Sequence, residues 1–364
     1  MYRRTFARVN LAAYKANVRA AKRLAGPGIK LMAVVKADAY GHGLVPIAGA
    51  AQVAGADWLG VALAEEGEAL RMAGIRLPIL ILGPVNEVGA VAAVKNNLTM
   101  TVFTLAQVMM ARQAAQAAGQ PALVHVKIDT GMNRIGLKTQ AALAEVLQTI
   151  KADNHVELTG AFTHFADGDN PDTAFTDAQL SRFQQMLTML PRDILVHAAA
   201  SSMLPRADAW FNMVRPGIAL YGCPPVPYGE EMLPVMSWEA EITHVKEIGP
   251  GEAVGYGVTF HAEKPMRLAT LAVGYGDGYP RCLSNRAQVL VGDRRCAVVG
   301  RVCMDQMMVD VTEAMEAASG GHAVLLGSQG DQSILADELA GLAGTISYEV
   351  LLGISPRVPR IYAE

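Results

Sequence analysis

Lys36 directly follows the apolar run 31–35 in the stretch LMAVVKADAYGHG. A single lysine at such a point most often marks where a buried strand reaches water. In enzymes it has a second use, because an amine that is desolvated and close to other cations has a lowered pKa and can bond covalently to a carbonyl group. The question is therefore whether the rest of the chain brings other cations to Lys36.

Short runs rich in Val, Ile and Leu recur along the chain and alternate with helix-like stretches, several of which end near Gly or Asn. Strands that are apolar on both faces and alternate with helices are typical of a parallel sheet covered by helices. This pattern predicts an α/β fold with a (β/α)8 TIM barrel. An open doubly wound sheet is the alternative, although no GxGxxG follows the first strand. The predicted strands are 31–35, 58–63, 78–82, 98–103, 122–128, 158–165, 194–199 and 213–222.

The composition changes near residue 224, where CPPVPYGEEMLPVM carries four prolines. The segments that follow have strand composition with Gly or Asp turns, apart from one helix-like stretch at 334–346. We therefore predict a barrel domain over residues 1–230 and a mostly β C-terminal domain over residues 231–364. Residues 3–11 also alternate between polar and apolar types, and one interpretation makes them a strand of the second domain.

In a (β/α)8 barrel the chemistry lies at the carboxyl ends of the strands, and phosphate groups often bind after strands seven and eight. Four of the eight predicted strands end on or near unusual polar residues, and the eighth segment contains two more, so five strands contribute. This convergence on one rim favours a functional site over solvation of separate strand ends. The residues are Lys36, then Lys127 with Asp129 and Arg134, then His164, then Ser201 with Ser202, and finally Arg215 with Gly217.

The predicted rim is rich in cations and has few carboxylates that could balance them or bind a metal. It suits an anionic, phosphorylated cofactor, and no metal is expected. Glycines near residue 217 would let backbone N–H groups approach a phosphate. Pyridoxal 5'-phosphate requires an amine, a phosphate-binding loop and a partner for its ring nitrogen. The predicted rim offers all three.

The amino-acid composition and net charge of the chain argue against several classes of function. The 364 residues are 51% hydrophobic, and 31 basic against 34 acidic residues give a net charge of −3. That balance argues against a nucleic-acid or anionic-membrane partner. No apolar run has the length of a membrane span or signal peptide, so a cytoplasmic location is expected. The four cysteines show no CxxC pair and no metal-ligand spacing, and we expect reduced thiols.

The stretch AVVKADAYGHG resembles the cofactor-lysine signature of the alanine racemases, a family of pyridoxal-phosphate-dependent isomerases. Seven further stretches of the chain resemble motifs of this family and occur in the family's order. They are IDTGMNRIG, THFA, VRPGIALYG, GYGVTF, VGYGDGYPR, VGRVCMDQ and RVPR. The resemblance runs from about residue 5 to residue 361. It implies a homodimer of cofactor-binding barrels and C-terminal β domains, in which each active site is completed by the partner's β domain.

The resemblance also implies roles for single residues. Lys36 would carry the cofactor and act on one face of the substrate α-carbon, and Tyr256 of the partner subunit would act on the opposite face. Arg215 would donate to the cofactor ring nitrogen, and His164 would bridge Arg215 and Tyr256 of the partner subunit. Lys127 matches a lysine that is carbamylated in some family members and holds the arginine equivalent to Arg134.

The remaining implied contacts are with the phosphate, the substrate and the entrance. Tyr40, Gly217 and Ile218 would meet the phosphate, and Arg134 would lie by the cofactor phenolate and the substrate carboxylate. Met304 and Asp305 of the partner subunit would line the carboxylate pocket, and the entrance would be lined by Tyr275, Arg301 and Asp169.

Two positions depart from the family pattern. The family usually has Asn-Ser after strand seven, whereas ungapped alignment from Arg215 puts Ala200 at the serine position and Ser201 one residue later. Either Ser201 or the backbone is then expected to hold the phosphate. Near the C-terminus Pro356 replaces a tyrosine, which predicts a wider entrance and activity on residues larger than alanine, such as serine.

The resulting prediction is an alanine racemase that interconverts L-alanine and D-alanine by a two-base mechanism. It would serve D-alanine biosynthesis for peptidoglycan precursors or L-alanine catabolism. A broader-specificity amino-acid racemase on the same scaffold is the alternative. A non-catalytic pyridoxal-phosphate carrier would match the barrel alone, and the second domain with Tyr256 and CMDQ argues against it. A decarboxylase shares the two-domain plan, but VKADAYGHG and CMDQ favour the racemase.

Overall fold

Eight parallel strands form a TIM barrel in the computed structural model, which describes residues 5–364. Each barrel strand pairs with the next one along the chain, and the last pairs with the first, so the barrel sheet has no open edge. The predicted fold class is confirmed. After β1 (Phe6–Asn10), the barrel strands are β2 (Lys30–Val34), β3 (Trp58–Val61), β4 (Ile79–Ile81), β5 (Thr99–Val102), β6 (Ala122–Lys127), β7 (Val156–Phe162), β8 (Leu195–Ala200) and β9 (Met213–Arg215).

Helices alternate with these strands, and polar residues cap several of them. Asn86, Thr104 and Thr139 each accept a hydrogen bond from a backbone N–H three residues later. Each such cap stabilises its helix by about 1 kcal/mol. The helices are α1 (Leu11–Ala25), α2 (Lys36–Gly41), α3 (Leu44–Ala54), α4 (Ala64–Met72), α5 (Glu87–Lys95), α6 (Leu105–Ala118), α7 (Gln140–Lys151) and α8 (Ala174–Leu187).

The barrel interior is packed with large apolar side chains. Strands β3, β4 and β5 are buried along their whole length, which explains why these segments are apolar on both faces. One interior cluster consists of Met32, Trp58, Leu80, Phe162 and Met213. Buried polar side chains also lie within the strands, among them Thr101, His125 and His197.

The C-terminal part of the chain is mostly β. Its elements are β10 (Met236–Ile248), β11 (Met266–Leu271), β12 (Gln288–Val291), β13 (Arg294–Val299), β14 (Met307–Asp310), β15 (His322–Gln329), β16 (Gln332–Ile334), α9 (Ala336–Ala343), α10 (Ser347–Gly353) and β17 (Arg360–Ala363). The thirteen-residue strand β10 pairs with β1, β11 and β15. The strands also pair in the order β11, β14, β13, β12 and β15, so that six strands including β10 close a second ring.

The chain divides into two compact units. The barrel unit contains residues 14–39 and 44–233, and the β unit contains the described residues up to Ala13 together with residues 40–43 and 234–364. Within the β unit, β1 pairs antiparallel with β10 and parallel with β17. Of the predicted strand 3–11, residues 3 and 4 lie outside the described residues.

Residues 5–364 include no helix that is both long enough and apolar enough to span a bilayer. The same part of the chain has no group of three or more His, Cys, Asp or Glu side chains arranged to hold a metal ion. None of the four cysteines forms a disulfide bond.

Candidate active site

Lys36 begins a left-handed helical turn. The φ angles of Ala37, Asp38, Ala39 and Tyr40 lie between 50° and 54°, a region that residues other than glycine rarely occupy. Left-handed helix costs roughly 1–2 kcal/mol per residue relative to the right-handed form. Strain of this kind persists only where the surroundings enforce it, and it is typical of functional sites.

Hydrogen bonds hold the turn in place. The Ala39 N–H donates to the carbonyl oxygen of Val35 at 2.9 Å, and the Leu44 N–H donates to Asp38 Oδ1 at 2.7 Å. The direction in which Lys36 leaves the end of β2 is therefore set by a constrained backbone as well as by side-chain packing.

Ala37 is exposed, so a substitution there tests the backbone with little change in packing. We expect Ala37→Val to lower the free energy of unfolding by about 2 kcal/mol, because a β-branched side chain is strongly disfavoured at positive φ. Ala117 is exposed on the right-handed helix α6, and Ala117→Val should cost only about 0.5 kcal/mol. Denaturant unfolding measures both changes, and equal losses would contradict the left-handed turn.

The Lys36 amine lies in a cationic environment. Burial lowers its pKa, and the positive charges of Arg134 and Arg215 lower it further, while the carboxylate of Glu66 acts in the opposite direction. The net effect is a larger neutral fraction of the amine near neutral pH. The neutral amine is the form that attacks a carbonyl carbon, so Lys36 is suited to covalent chemistry.

Lys127 ends β6 and is almost completely buried. Burial, followed by the charges of Arg215 and Arg134, brings the pKa of Lys127 well below its usual value, and Asp129 acts in the opposite direction. Its Nζ lies 4.3 Å from the ring centroid of Phe162, within the range of a cation–π contact. The rim thus contains a second amine that is strongly biased toward the neutral form.

Arg215 ends β9 and is also almost completely buried. Its Nη2 donates to the carbonyl oxygens of Thr163 and Ala198 at 2.8 and 3.0 Å, and lies 3.4 Å from His164 Nδ1. Burial lowers the pKa of Arg215 to about 9, which still leaves the guanidinium protonated at neutral pH. These contacts fix the orientation of its remaining N–H donors.

Two histidines extend this arrangement into the barrel interior. Arg215 Nη1 lies 2.8 Å from His197 Nδ1, and His197 Nε2 lies 2.9 Å from His125 Nδ1. Because a guanidinium only donates hydrogen bonds, His197 accepts at Nδ1 and carries its proton on Nε2. Burial and the Arg215 charge lower the pKa of His125 to about 3 and that of His197 well below its usual value, so both rings are neutral.

These histidines were not among the predicted site residues. The only signal in the sequence is one histidine in each of two apolar runs, ALVHVKI and ILVHAA. A histidine in a buried strand is consistent with plain core packing. Their role depends on the contact with Arg215, which only the fold creates.

His164 lies just beyond β7 and is half-buried. Burial brings its pKa well below the usual value, and the charges of Arg215, Lys127, Arg134 and Lys36 lower it further. His164 is therefore neutral at pH 7. It faces the rim as a hydrogen-bonding group without adding to the positive charge.

The loop after β9 is hydrogen-bonded to Ser201. Ser201 Oγ accepts the N–H groups of Gly217 and Ala219 at 2.9 and 3.3 Å, and Tyr228 Oη donates to the Ser201 carbonyl oxygen at 2.5 Å. Ile218 begins the short helical turn that follows. The structure therefore brings Ser201, Gly217 and Ile218 together.

Tyr256 belongs to the β unit and is 71% exposed. It lies between Gly255 and Gly257, both at φ 74°, a conformation that glycine adopts at little cost. A Cβ atom on Gly257 would lie 2.9 Å from Arg301 Nη1. The loop geometry therefore requires glycine beside Tyr256 and leaves the tyrosine ring in solvent within one chain.

Other predicted site residues also lie in the β unit. Met304 is 54% exposed, Tyr275 is 42% exposed, and Asp305 Oδ1 accepts a hydrogen bond from Arg357 Nη2 at 2.7 Å. Tyr40 is buried in the same unit. A cleft of about 440 Å³ is lined by Tyr256, Ala272, Cys303, Met304, Asp305, Gln306 and Arg357.

Pro356 occupies a position that suits proline. The Val358 N–H donates to the carbonyl oxygen of Ser355 at 3.1 Å, which closes a four-residue turn with Pro356 in its second place. Proline is favoured there because its fixed φ matches the turn. The next residue, Arg357, is the partner of Asp305 described above.

The predicted residues thus fall into two groups. The barrel unit brings together, at or near its strand ends, Lys36, Lys127, Arg134, His164, Ser201, Arg215, Gly217 and Ile218. The β unit contains Tyr40, Tyr256, Tyr275, Met304 and Asp305. The first group has the charge and the donors expected of a site for an anionic group.

A (β/α)8 barrel with a neutral-biased lysine on a cationic rim, followed by a mostly β unit, defines a class of two-part barrel enzymes. The family model for the N-terminal domain of alanine racemase matches residues 9–225, and the model for the C-terminal domain matches residues 235–362. The chain belongs to the alanine racemase family.

Individual relatives match along their whole length. The chain is 46% identical to the alanine racemase of Symbiobacterium thermophilum, over 99% of this chain and 97% of the relative. It is 42% identical to that of Desulfovibrio desulfuricans, over 100% and 99%.

Solved structures agree with the sequence comparisons. The alanine racemase of a D-cycloserine-producing Streptomyces lavendulae has a TM-score of 0.94 at 36% identity, covering 100% of this chain and 98% of that one. The alanine racemase of Bacillus anthracis with bound L-Ala-P has a TM-score of 0.93 at 36% identity, covering 100% and 96%. The likeness therefore extends through both units of the chain.

Proposed function

We propose that this protein is an isomerase that interconverts L-alanine and D-alanine. The observation that carries the proposal is the Lys36 amine, held at a barrel rim near Arg134 and Arg215 in a chain that matches alanine racemases along its whole length. The relatives described above are all named alanine racemases, which favours alanine over a broader substrate range.

We infer that the cofactor is pyridoxal 5'-phosphate, because the rim fits it. Lys36 offers an amine for covalent attachment, and Arg215 offers N–H donors for the ring nitrogen. Ser201 Oγ accepts the N–H of Gly217, which leaves the hydroxyl proton of Ser201 available to a phosphate oxygen. When bound, the cofactor withdraws electrons from the substrate α-carbon and makes its proton easier to remove.

Further cofactor contacts are proposed on the same basis. Ile218 follows Gly217 with its N–H at the start of a helical turn, where backbone N–H groups suit a phosphate. Arg134 would meet the cofactor phenolate and the substrate carboxylate, and His164 would lie beside Arg215. Tyr40 is the proposed side-chain donor to the phosphate.

Ser201→Ala tests whether the hydroxyl of Ser201 holds the phosphate. We expect the affinity for pyridoxal 5'-phosphate to fall about tenfold, because one hydrogen bond to a charged oxygen is lost. Ser202→Ala is the matched control, since Ser202 is the next residue and has no predicted cofactor contact. Fluorescence titration of the cofactor-free protein measures both affinities. An unchanged affinity in Ser201→Ala would assign the phosphate to backbone N–H groups alone.

Racemisation removes a proton from one face of the α-carbon and returns one to the other, so it needs two proton-transfer groups. We propose Lys36 for one face and Tyr256 of the partner subunit for the other. What supports a shared site is the exposure of Tyr256, with Val258 and Met304 also more than half exposed in the β unit. Exposed apolar side chains of this kind are typical of surfaces that another chain covers.

The proposed assembly is therefore a homodimer with shared active sites. Met304 and Asp305 of the partner subunit would line the substrate carboxylate pocket, and Tyr275 of the partner subunit would lie at the entrance. Two-fold symmetry would give two equivalent sites, each built from one barrel unit and the partner's β unit.

We also propose that Lys127 is carbamylated. Its buried amine is biased toward the neutral form, and a neutral amine is the form that adds carbon dioxide. The resulting anion would accept hydrogen bonds from Arg134 and offset the positive charge of Arg215. It would thereby turn an unfavourable group of cations into a paired one.

Isotope labelling tests this modification. In protein incubated with ¹³C-bicarbonate we expect a carbamate signal by ¹³C NMR, which disappears in Lys127→Met. The signal should weaken on acidification, because protonation of the amine releases carbon dioxide. Lys138→Met, a change at an exposed lysine in the same segment, should keep the signal. A spectrum without it at neutral pH would contradict the proposal.

The function is tested by α-proton exchange in deuterated water. The holoenzyme is incubated with L-alanine and separately with L-serine, proton loss is followed by NMR, and chirality by chiral chromatography. We expect exchange with inversion for alanine and a much lower kcat/KM for serine. Comparable values would favour the broader racemase, for which Pro356 is the supporting observation. Absence of exchange with both, despite bound cofactor, would refute the proposed function, and released carbon dioxide would indicate a decarboxylase.

We further propose a cytoplasmic location and a role in supplying D-alanine for peptidoglycan precursors. Four cysteines without a disulfide bond support a reducing compartment. The proposed domain boundary near residue 230 is supported by the division of the two units between Leu233 and Pro234. Cell fractionation tests the location, and limited proteolysis tests the boundary.

A further inference from the structure

Glu66 connects the ends of two barrel strands. Its Oε2 accepts the N–H groups of Ala62 and Leu63 at 2.8 and 3.2 Å, just after β3. Its Oε1 accepts the N–H of Ala37 at 2.6 Å, three residues after the last residue of β2 and one after Lys36. The carboxylate thus binds three backbone donors.

The bond to Ala37 falls at the start of the left-handed turn. The first N–H groups of a helical turn have no partner within the turn, so they must be satisfied from outside. Glu66 satisfies the first of them. Because that N–H belongs to the peptide plane between Lys36 and Ala37, fixing it also fixes the direction in which the Lys36 side chain leaves the backbone.

The charge of the Glu66 carboxylate is also important for Lys36. No lysine or arginine side chain in residues 5–364 forms an ion pair with it. Its negative charge raises the pKa of Lys36, whereas burial and the charges of Arg134 and Arg215 lower it. His164, the other titratable group that interacts with Lys36, is neutral at pH 7. Glu66 therefore opposes the cationic neighbours of the amine.

We propose that Glu66 is a positioning residue, whose bond to the Ala37 N–H holds the left-handed turn and thereby sets the direction of the Lys36 side chain. This inference rests on the proposed function only in treating Lys36 as the working amine. Glu66 would act through the Ala37 N–H and through its charge, without touching substrate or cofactor. A carboxylate that was only a helix cap would bind Ala62 and Leu63 and leave Lys36 unaffected.

The first test measures the reactivity of the Lys36 amine and does not depend on catalysis. The full-length protein is freed of cofactor, trinitrobenzenesulfonate is added over a range of pH, and labelling of Lys36 is followed by mass spectrometry. Loss of the Glu66 charge in Glu66→Gln should move the labelling midpoint to lower pH. Glu65→Gln is the matched control, because Glu65 is an exposed acid in the same helical turn, and it should leave the midpoint unchanged.

The second test separates charge from position. Glu66→Asp keeps the charge but is one methylene too short to reach both strand ends. We expect the labelling midpoint to stay near that of the original protein, while kcat for alanine falls about tenfold or more with a smaller change in KM. Glu66→Gln should lower kcat as well. Thermal unfolding of all variants beside Glu65→Gln shows which of them are folded.

The outcomes are distinct. If folded Glu66→Gln has the same labelling midpoint as the original protein and a kcat within twofold of it, the inference is wrong. If Glu66→Gln does not fold, Glu66→Asp decides, and an unchanged kcat in that variant overturns the inference. Suppose that neither the original protein nor any variant racemises alanine, but the labelling midpoint still moves in Glu66→Gln. The proposed function is then wrong, whereas the action of Glu66 on Lys36 is supported.

Discussion

Replacing Lys36 with alanine is expected to abolish α-proton exchange of L-alanine, with a loss in kcat/KM of at least about 10⁴-fold. The reason is that two tasks are lost together. The variant has no amine at the end of β2 to which the cofactor can be attached, and one face of the α-carbon has no proton-transfer group. Neighbouring Lys127 does not replace it, because that amine is buried on a different strand.

The same strand provides the control. Lys30 is the first residue of β2 and is exposed, whereas Lys36 follows the other end. Lys30→Ala should exchange the α-proton at the rate of the original protein, as measured by NMR in deuterated water. Exchange in Lys36→Ala at more than a few hundredths of the original rate would place the working amine elsewhere.

The second large effect is expected at Tyr256. Tyr256→Phe keeps the ring and removes only the hydroxyl, and it should lower racemisation about 10³-fold through loss of the second proton-transfer group. Tyr362→Phe, at another exposed tyrosine of the β unit, is the control and should retain activity. Chiral chromatography from either enantiomer measures both variants.

Mixing the two inactive variants tests whether the site is shared. In a dimer of one Lys36→Ala chain and one Tyr256→Phe chain, one of the two sites would hold Lys36 of one subunit and Tyr256 of the other. Random assembly should then restore about one quarter of the original activity, because half of the dimers are mixed and half of their sites are intact. A site built within one chain would recover no activity on mixing.

The barrel could be predicted because its strands are short, apolar on both faces and separated by helix-like stretches. Once the strands are located, the rule that barrel chemistry lies at the carboxyl ends identifies Lys36, His164 and Arg215 as candidates. Strand ends are fixed by local sequence, so residues at strand ends are the ones that a sequence can reveal.

The left-handed turn was not predictable in the same way. The stretch KADAYG has no glycine among its first five residues, and alanine normally favours the right-handed helix. The conformation depends on acceptors that lie elsewhere, among them Glu66 in α4. Likewise, His125 and His197 gain their hydrogen-bond roles only when β6, β8 and β9 are brought together. Contacts between distant segments are what sequence patterns do not contain.

The pairing of β1 has a consequence for how the chain is made. β1 is the first described strand to leave the ribosome, but its partners β10 and β17 begin at Met236 and Arg360. At usual rates of translation the first partner is completed about 10–50 s later. During that interval the backbone groups of β1 lack the two strands with which they pair. We infer that the slowest folding step of this protein joins segments separated by most of the described sequence, because pairing between distant segments forms slowly.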